Sequence, residues 1–372
     1  MEEIKTTNNN LTAETLLDKT ECNAMRGIAI LGIILHNYCH WLAPIVKENE
    51  YQYFQNNVDE LSKIMTSEWT NLIFFHVMSF FGHYGVPIFL FLSAYGLVQK
   101  YELYNRDKHA DPTTLEFIKY HWKKLFRLMI VGFAAFILID AITPGRHHYA
   151  VLDIIAQLGL FNNILPHPDK IIWPGPYWFF GLMFQLYIVY RLFLYKRHWG
   201  WAVGLMVLST AIQMACEPDG EALNRWRYNC VGGILPFCMG LLYARHVKNA
   251  NPRLYPLWTI LAVLGIYILS LNRNSWFFVP AFVCIAAIYF VKHISRATFF
   301  STFHRWLLNQ LSWIGSISAA LFISHPITRK VIIPISRTGD YWAGLLLYII
   351  TSICIAWLFK ELTKHIPSPK LK

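Results

Sequence analysis

Four polar residues lie in or just beyond the first long apolar segment of the chain, where a membrane helix would normally exclude them. They are Arg26, His36, Asn37 and His40. At about 100° per residue they share one stripe, within about a third of the helix circumference. Ionisable groups are kept at that depth mainly where they face a cavity, a partner or a substrate. The stripe therefore predicts a functional site on this helix.

The residue types of this stripe suit chemistry on a long anionic substrate. Histidine titrates near neutrality and accepts protons, and arginine holds anions such as phosphate. At about 1.5 Å per residue, His36 lies about 15 Å deeper than Arg26, near the membrane centre. A substrate would keep its anionic head near Arg26 and extend its reactive end to His36. The alternative is an arginine that snorkels to the interface and a histidine that only packs.

Composition indicates a polytopic membrane protein. Of the 372 residues, 55% are hydrophobic and 15% charged, against about 25% charged in soluble domains. The 14 tryptophans fit the aromatic belts of membrane proteins. The formal net charge of +11 would suit nucleic acid, but the basic residues occur in short clusters between apolar segments. We therefore expect the lipid bilayer, and no nucleic acid, as a partner.

The pattern of apolar segments predicts an all-α integral membrane fold, a bundle of about ten transmembrane helices of about 20 residues each. The predicted spans are residues 24–44, 77–99, 122–141, 177–195, 199–215, 230–245, 255–271, 275–291, 306–326 and 341–360. Lysine and arginine are concentrated in alternate connections, which predicts that both termini are cytoplasmic.

This pattern divides the chain into a cytoplasmic tail at residues 1–21, a transmembrane domain at 22–362 and a cytoplasmic tail at 363–372. The first tail lacks the apolar core and small-residue cleavage site of a signal peptide. Cys216 and Cys230 flank one predicted outer loop. They either form a disulfide in an oxidising compartment or pack as small apolar side chains.

Five segments together resemble a known family. The first helix, with a basic residue followed by a histidine, is similar to the signature of the acyltransferase 3 family of integral membrane acyltransferases. The other four segments, in the family's order, are GVPIFLFLSAYGL at 85–97, FIKYHWKKLFRL at 117–128, YWFFGLMFQLY at 177–187 and IGSISAALFISHP at 314–326. The resemblance extends over residues 20–360, essentially the whole membrane domain.

The resemblance implies an enzyme of the bacterial inner membrane that transfers an acyl group, most often acetyl. The donor would be cytoplasmic acyl-CoA, and the acceptor a hydroxyl of a surface polysaccharide or a lipid-linked glycan. His36 would be the general base or a transient acyl carrier, with Arg26 and Asn37 as further catalytic residues. Direct transfer and a histidine acyl intermediate both remain open.

The resemblance also implies binding residues. Arg26 and a basic cluster would hold the phosphates of CoA, although the cluster is equally explained by the positive-inside topology signal. The cluster consists of Lys123, Lys124 and Arg127. Further residues are assigned to substrate binding, with helix packing as the alternative for the first. These residues are Ser93, His83, Trp178, Tyr187 and His325.

No metal site is predicted, because His147 and His148 have no carboxylate or cysteine at ligand spacing. The outer segment at residues 142–176 is rich in Trp, Tyr, Asn and Pro. Aromatic faces with amide groups suit sugar binding, and they equally suit an ordered interfacial loop.

The sequence departs from the family pattern in helix 1. Nine residues separate Arg26 from His36, one fewer than usual, which rotates the pair by about 100° in a regular helix. A bulge near Gly32 would restore the alignment, or Asn37 would share the role. Gln185 stands where an acidic residue is common, which weakens any acid/base role there.

Two rival functions remain. A membrane glycosyltransferase or polymerase acting on lipid-linked sugars usually needs acidic residues in an outer loop. Such residues are present without a paired motif, at Glu48, Glu50, Asp59 and Glu60. A flippase or transporter for an acylated lipid would consume no acyl-CoA and would leave the mass of its substrate unchanged.

Overall fold

A computed structural model describes residues 16–67, 70–103, 111–247 and 252–371 of the chain. Within these ranges the chain forms helices and connecting turns and no β-strand, which confirms the all-α prediction. The buried apolar side chains of most helices join in one continuous core.

The α-helices of the described residues, in chain order, are α1 Lys19–Cys39, α2 Gln55–Thr66, α3 Ile73–Phe81, α4 Gly85–Val98, α5 Thr114–Ile142, α6 Val151–Gly159, α7 Pro168–Ile171, α8 Trp178–Val189, α9 Trp199–Met214, α10 Glu221–Tyr228, α11 Cys230–His246, α12 Tyr255–Ser270, α13 Arg273–Trp276, α14 Val279–Arg296, α15 Ser301–Ser316, α16 Ser318–Thr338 and α17 Tyr341–Lys364. Short 3-10 or π-helical turns extend several of them, among them Gly82–Tyr84 between α3 and α4 and Gln99–Leu103 after α4.

Five helical segments of the described chain are long and apolar enough to cross a membrane. They are Ile73–Leu103, Thr114–Ile142, Gly175–Leu194, Val279–Arg296 and Tyr341–Lys364. Each overlaps a predicted span, so a multi-pass membrane protein is confirmed. The bent pair α15 and α16 would make a sixth, and α9 and α12 are apolar but shorter. The count of ten spans and the cytoplasmic termini therefore stay predictions.

The predicted span at residues 306–326 is not one continuous helix, and whether it crosses the membrane stays a prediction. The chain bends by 69° between α15 and α16, because Ile317 (φ −109°, ψ 4°) leaves the helical conformation. The later helix then continues through Pro326 rather than ending there. His325 consequently lies inside α16, fully buried, and not near a helix end.

Small residues let α1 approach its neighbours closely. A Cβ atom at Gly27 would overlap the carbonyl oxygen of Leu311 in α15, and one at Gly32 would lie 2.9 Å from the carbonyl oxygen of Gly82. The expected bulge near Gly32 is absent, because α1 is one regular helix from Lys19 to Cys39. Gly32 instead brings the Gly82–Tyr84 turn against the part of α1 that carries the polar stripe.

The cysteines of the chain are all in the described ranges and all are free thiols. The disulfide alternative for Cys216 and Cys230 is therefore wrong. Both thiols are half-buried and pack against the apolar core.

Candidate active site

His36 is buried in the last turn of α1, and its orientation is fixed from one side. Its Nδ1 lies 2.8 Å from the backbone carbonyl oxygen of Ser79. Because a carbonyl oxygen only accepts, Nδ1 carries the proton and the neutral ring keeps a lone pair on Nε2. Nε2 lies 3.8 Å from Oε2 of Glu50. His36 is therefore prepared to accept a proton at Nε2.

Two hydrogen bonds attach the connection between α1 and α2 to α3, beside His36. Ser79 Oγ donates to the carbonyl oxygen of Val46 at 2.6 Å. The backbone N–H of Val46 donates to Nδ1 of His76 at 3.2 Å. These two bonds hold residues 40–54 over the end of α1, so that the acidic residues of this loop reach His36.

Two further imidazoles flank the ring of His36. The ring centroid of His40 is 4.8 Å away, and that of His83 is 5.5 Å away. His83 lies in the tight turn between α3 and α4. No side chain of the described residues accepts from or donates to either of its ring nitrogens. His83 therefore forms part of the wall beside His36.

The pKa values of two carboxyl groups in this loop are shifted in opposite directions. Burial alone would raise the pKa of Glu48, but the imidazole of His40, 3.2 Å away, holds it well below its usual range. Burial and the neighbouring Glu48 charge raise the pKa of Glu50 to about 8. At neutral pH the site therefore contains one ionised carboxylate, paired with His40, and one protonated carboxyl group beside His36.

The raised pKa of Glu50 predicts a pH-dependent loss of stability. The folded protein keeps this carboxyl protonated up to about pH 8, whereas the unfolded chain ionises it above about pH 4.3. The contribution of Glu50 to the free energy of unfolding is therefore fully present below about pH 4.3. It is lost as the pH rises through about 8. We expect the melting temperature of the wild type to fall, relative to Glu50→Gln, between pH 5 and pH 9. The comparison is made by thermal unfolding of the purified protein in detergent.

The control for this comparison is Glu60→Gln, which alters an exposed carboxylate on α2. The melting temperature of Glu60→Gln should change with pH by the same amount as that of the wild type across this range. If the melting temperature of Glu50→Gln also changed with pH by the same amount as that of the wild type, a buried, protonated Glu50 would be contradicted.

Asn37 connects α1 to α16. Its Nδ2 donates to the carbonyl oxygen of Ile33 at 2.9 Å, which turns Oδ1 toward Arg329. The Nη1 of Arg329 donates to that oxygen at 2.6 Å. The guanidinium of Arg329 also lies 5.3 Å from the ring centre of Trp41. The cation of Arg329 is thereby held at Asn37, the residue that follows His36 in α1.

These groups surround a cavity of about 310 Å³. Its wall combines ionisable groups, aromatic faces and a few aliphatic side chains. The lining residues used below are His36, Asn37, His83, Glu50, Arg329 and Trp178. A second, smaller space of about 40 Å³ continues from it past Glu50 and His83 to Arg227. A small polar molecule fits between the base and the aromatic faces.

Some residues predicted for substrate binding lie elsewhere. The Tyr187 hydroxyl is within hydrogen-bonding reach of Ser93, and its ring lies 4.2 Å from that of His121. Neither lines the cavity at His36. His325 is buried behind Phe322, with Nδ1 3.1 Å from the carbonyl oxygen of Leu321. Their roles in binding therefore stay predictions.

The predicted phosphate-binding residues lie toward the other end of α1. The charge of Lys124 interacts with those of Arg26 and Lys100. Lys123 is exposed nearby on α5. Arg127 faces the end of the chain, donating to Ser368 Oγ at 2.7 Å and to the carbonyl oxygen of Thr363.

Arg26, Lys100 and Lys124 thus form a cationic group, for which no carboxylate of the described residues is within ion-pair distance. Lys100 and Lys124 are exposed, so solvent screens the repulsion among these charges, and the group is accessible to an anion. This group is about 15 Å from His36 along α1.

Two groups of side chains have atoms spaced for a metal. Single ligand atoms of His36, His40 and Glu48 lie within 4.8 Å of one another, as do those of an exposed group at His167, Asp169 and Glu221. The His40–Glu48 ion pair accounts for the first group, and Nδ1 of His36 is already bonded to Ser79. The prediction of no metal therefore remains a prediction.

Sequence reasoning missed the parts of the site that come from distant segments. The sequence identified Glu48 and Glu50 only as acidic residues of an outer loop, and it assigned no site role to Arg329 or Arg227. The spacing His325 to Arg329, four residues on one helix, was the available signal, because it places both on the same face. The spacing Glu48 to Glu50 gave no comparable signal in an irregular loop.

The chemistry of this arrangement follows from its parts. Nε2 of His36 can take a proton from a hydroxyl group in the cavity. Aromatic faces and polar groups can orient that hydroxyl. The cationic group at the other end of the helix can hold an anion. Together they suit a reaction between a hydroxyl compound and a long anionic molecule.

Comparison with protein families gives one result. A family model for acyltransferase 3, described as an acyltransferase domain, matches residues 20–361, nearly the whole chain. Comparisons with curated proteins and with solved structures found no match.

Proposed function

Because the chain belongs to the acyltransferase 3 family, we propose that this membrane acyltransferase moves an acetyl group from acetyl-CoA to a glycan hydroxyl. The acceptor would be a surface polysaccharide or a lipid-linked glycan of a bacterial inner membrane. The observation that carries the proposal is His36, whose Nδ1 donates to the Ser79 carbonyl while Nε2 remains free as a base. Family membership also disfavours the glycosyltransferase and flippase alternatives.

The walls of the cavity support a sugar as the acceptor. Tyr51 stacks on Tyr228 with ring centres 3.9 Å apart and meets the edge of Trp178 at 5.5 Å. Trp173 and Trp41 also line the cavity. Flat apolar faces interleaved with carboxyl and guanidinium groups suit a ring that has both C–H faces and hydroxyl groups. Most of these rings belong to residues 40–54 and 167–178, and Tyr228 ends α10.

The cationic group supports CoA as the donor. Phosphates and a distant reactive thioester match an anion site and a base about 15 Å apart along α1. Arginine and lysine hold phosphate through charge-assisted hydrogen bonds. With cytoplasmic termini, the donor approaches from the cytoplasm and the acceptor from the other side. The acyl group then crosses the membrane within the protein.

In direct transfer, one of the two mechanisms left open by the family resemblance, His36 acts as the general base. The acceptor hydroxyl loses its proton to Nε2 of His36 while its oxygen attacks the carbonyl carbon of the thioester. The tetrahedral intermediate then breaks the carbon–sulfur bond. The proton on His36 passes to the departing sulfur, which leaves as the free thiol of CoA. The products are one ester and one thiol, and the histidine returns to its starting state.

Charge removal at the donor site should weaken binding of acetyl-CoA. We expect Arg26→Gln and Lys124→Gln each to raise the KM for acetyl-CoA by about 10-fold or more, because a charge-assisted hydrogen bond contributes about 1.5–3 kcal/mol. The KM of the wild type should also rise with salt more steeply than that of either variant. Both are measured in membrane vesicles as the rate of label transfer against acetyl-CoA concentration.

Lys119→Gln is the matched control, since Lys119 is an exposed lysine on the same helix that is not part of the cationic group of Arg26, Lys100 and Lys124. Its KM should stay within about twofold of the wild type. Equal KM values for all four proteins would contradict phosphate binding by this cationic group.

The test of the function uses membrane vesicles and acetyl-CoA labelled in the acetyl group. Vesicles that contain the protein should transfer label to glycan or glycolipid, and vesicles without it should not. The label should be released by mild alkali, as expected for an ester and not for an amide. Label that appears equally in both preparations would contradict the proposal.

A further inference from the structure

Arg329 is a cation at the cavity that has no counter-ion among the described residues. Its guanidinium lines the cavity with His36, and none of the carboxylates in the described parts of the chain pairs with it. The adjacent Lys330, in contrast, lies 2.9 Å from Asp140. An enclosed charge without a partner is costly. The cost is explained if negative charge appears beside Arg329 during the reaction.

Asn37 and Trp41 hold this guanidinium in one direction. The bond from Nη1 of Arg329 to Oδ1 of Asn37 is 2.6 Å long, and Asn37 is itself fixed by its bond to Ile33. The Trp41 ring lies 5.3 Å from the guanidinium. Among the described residues, only Asn37 accepts a hydrogen bond from Arg329. Further N–H donors therefore remain for a molecule in the cavity.

Arg329 faces the same cavity as the reacting histidine. His36 and Arg329 both line it, and His325 lies four residues before Arg329 on α16. His36 and Asn37 are neighbours in the last turn of α1, so an acceptor oxygen at Nε2 of His36 is also near Arg329. The carboxylate of Glu48 is paired with His40 and donates no hydrogen bond.

We propose that Arg329 is the residue that stabilises the oxyanion of the tetrahedral intermediate, and that Asn37 positions it. This inference rests on the proposed acyl transfer. As the acceptor oxygen bonds to the carbonyl carbon, the π electron pair of the carbonyl moves to its oxygen. The N–H groups of Arg329 donate to that oxygen. When the carbon–sulfur bond breaks, the electron pair returns to re-form the carbonyl and the contact weakens.

A fixed anion on the acceptor, such as a phosphate or a sugar carboxylate, is the other group that could meet Arg329. The two roles differ in kinetics. A group that acts only on the oxyanion lowers kcat and leaves the KM unchanged, whereas one that holds a substrate anion raises the KM.

The test compares Arg329→Gln, Arg329→Lys and the wild type in vesicles with labelled acetyl-CoA. Removing one oxyanion donor typically lowers kcat about 100- to 1000-fold. We expect that loss for Arg329→Gln, with the KM for acetyl-CoA and the retention of labelled acetyl-CoA by the purified protein unchanged. Arg329→Lys should recover part of the rate, because it keeps the charge but loses the fork of donors.

Arg337→Gln is the matched control. Arg337 lies two turns later on α16, is exposed, and donates to the carbonyl oxygen of Trp41 at 2.9 Å without lining the cavity. Its rate should remain within about threefold of the wild type, as for most exposed substitutions.

Three outcomes would overturn the inference. The first is a normal kcat in Arg329→Gln. The second is a raised KM for the glycan acceptor with an unchanged kcat, which would assign Arg329 to an anion of the acceptor. The third is a loss of rate that merely follows a loss of folded protein or of acetyl-CoA retention. Wild-type vesicles that transfer no label would instead refute the proposed function itself.

Discussion

Replacing His36 by glutamine should reduce acyl transfer about 100- to 10,000-fold, the usual contribution of a general base. Glutamine has a similar size and its amide can still donate to the Ser79 carbonyl, but it accepts no proton at neutral pH. The variant should therefore fold and retain acetyl-CoA while losing turnover. The rate is measured as label transferred from acetyl-CoA in vesicles with equal amounts of protein.

His148→Gln is the control for this experiment. His148 is an exposed histidine in the connection after α5 and does not line the cavity. Its rate should equal that of the wild type. If His36→Gln also retained full turnover, the role of base would pass to another group of the cavity, with His40 as the nearest candidate.

Replacing Gly27 by leucine should prevent stable folding. A Cβ at this position would overlap a backbone oxygen of Leu311, and backbone cannot move aside as a flexible side chain can. Overpacking typically costs about 1–3 kcal/mol and more where nothing yields. We expect a large fall in the monodisperse fraction on size-exclusion chromatography and in the melting temperature of what remains.

Gly96→Ala is the matched control, because a Cβ at Gly96 in α4 meets no other atom within 4 Å. This change removes a flexible residue from a helix and should leave stability unchanged or raise it by about 0.5–1 kcal/mol. A Gly27→Leu protein as stable as Gly96→Ala would contradict the close packing of α1 on α15.

Sequence alone predicted the parts of the fold that depend on local composition. The five long apolar helices appear where runs of about 20 apolar residues were found. The break at Ile317 was not predicted, because the nearby Gly315 alone does not mark a bend in an apolar segment. Gly315 packs against the backbone of Asn23 in α1, a tertiary contact that single-sequence hydropathy does not contain.

In the site, too, sequence alone identified what depends on local composition and not what depends on tertiary contacts. His36 and Asn37 were found because polar residues stand out in an apolar helix. His83 and Trp178 were assigned to substrate binding from the sequence, and the structure places them on the cavity wall with His36. Arg329 bonds to Asn37 across 292 positions of the chain. A pairing at that distance has no local pattern, so only the folded chain brings Arg329 to the cavity.

Function was hardest to predict from sequence in the connections between helices. Glu50 approaches His36 because Val46 is bonded to Ser79 and His76 and because the carbonyl of Glu50 accepts from Arg227 at 2.6 Å. Each of these bonds joins segments that are far apart in the chain. Composition identified this loop as acidic, and its contacts place one of its carboxyl groups beside the base.

The most direct test is mass spectrometry of surface glycans from three strains of one host, which express the wild type, His36→Gln or no protein. Equal levels of the two proteins in the membrane are checked first. An O-acetyl mass found only with the wild type would support transfer to a glycan through His36. The same O-acetyl mass in all three strains, or in none of them, would contradict it.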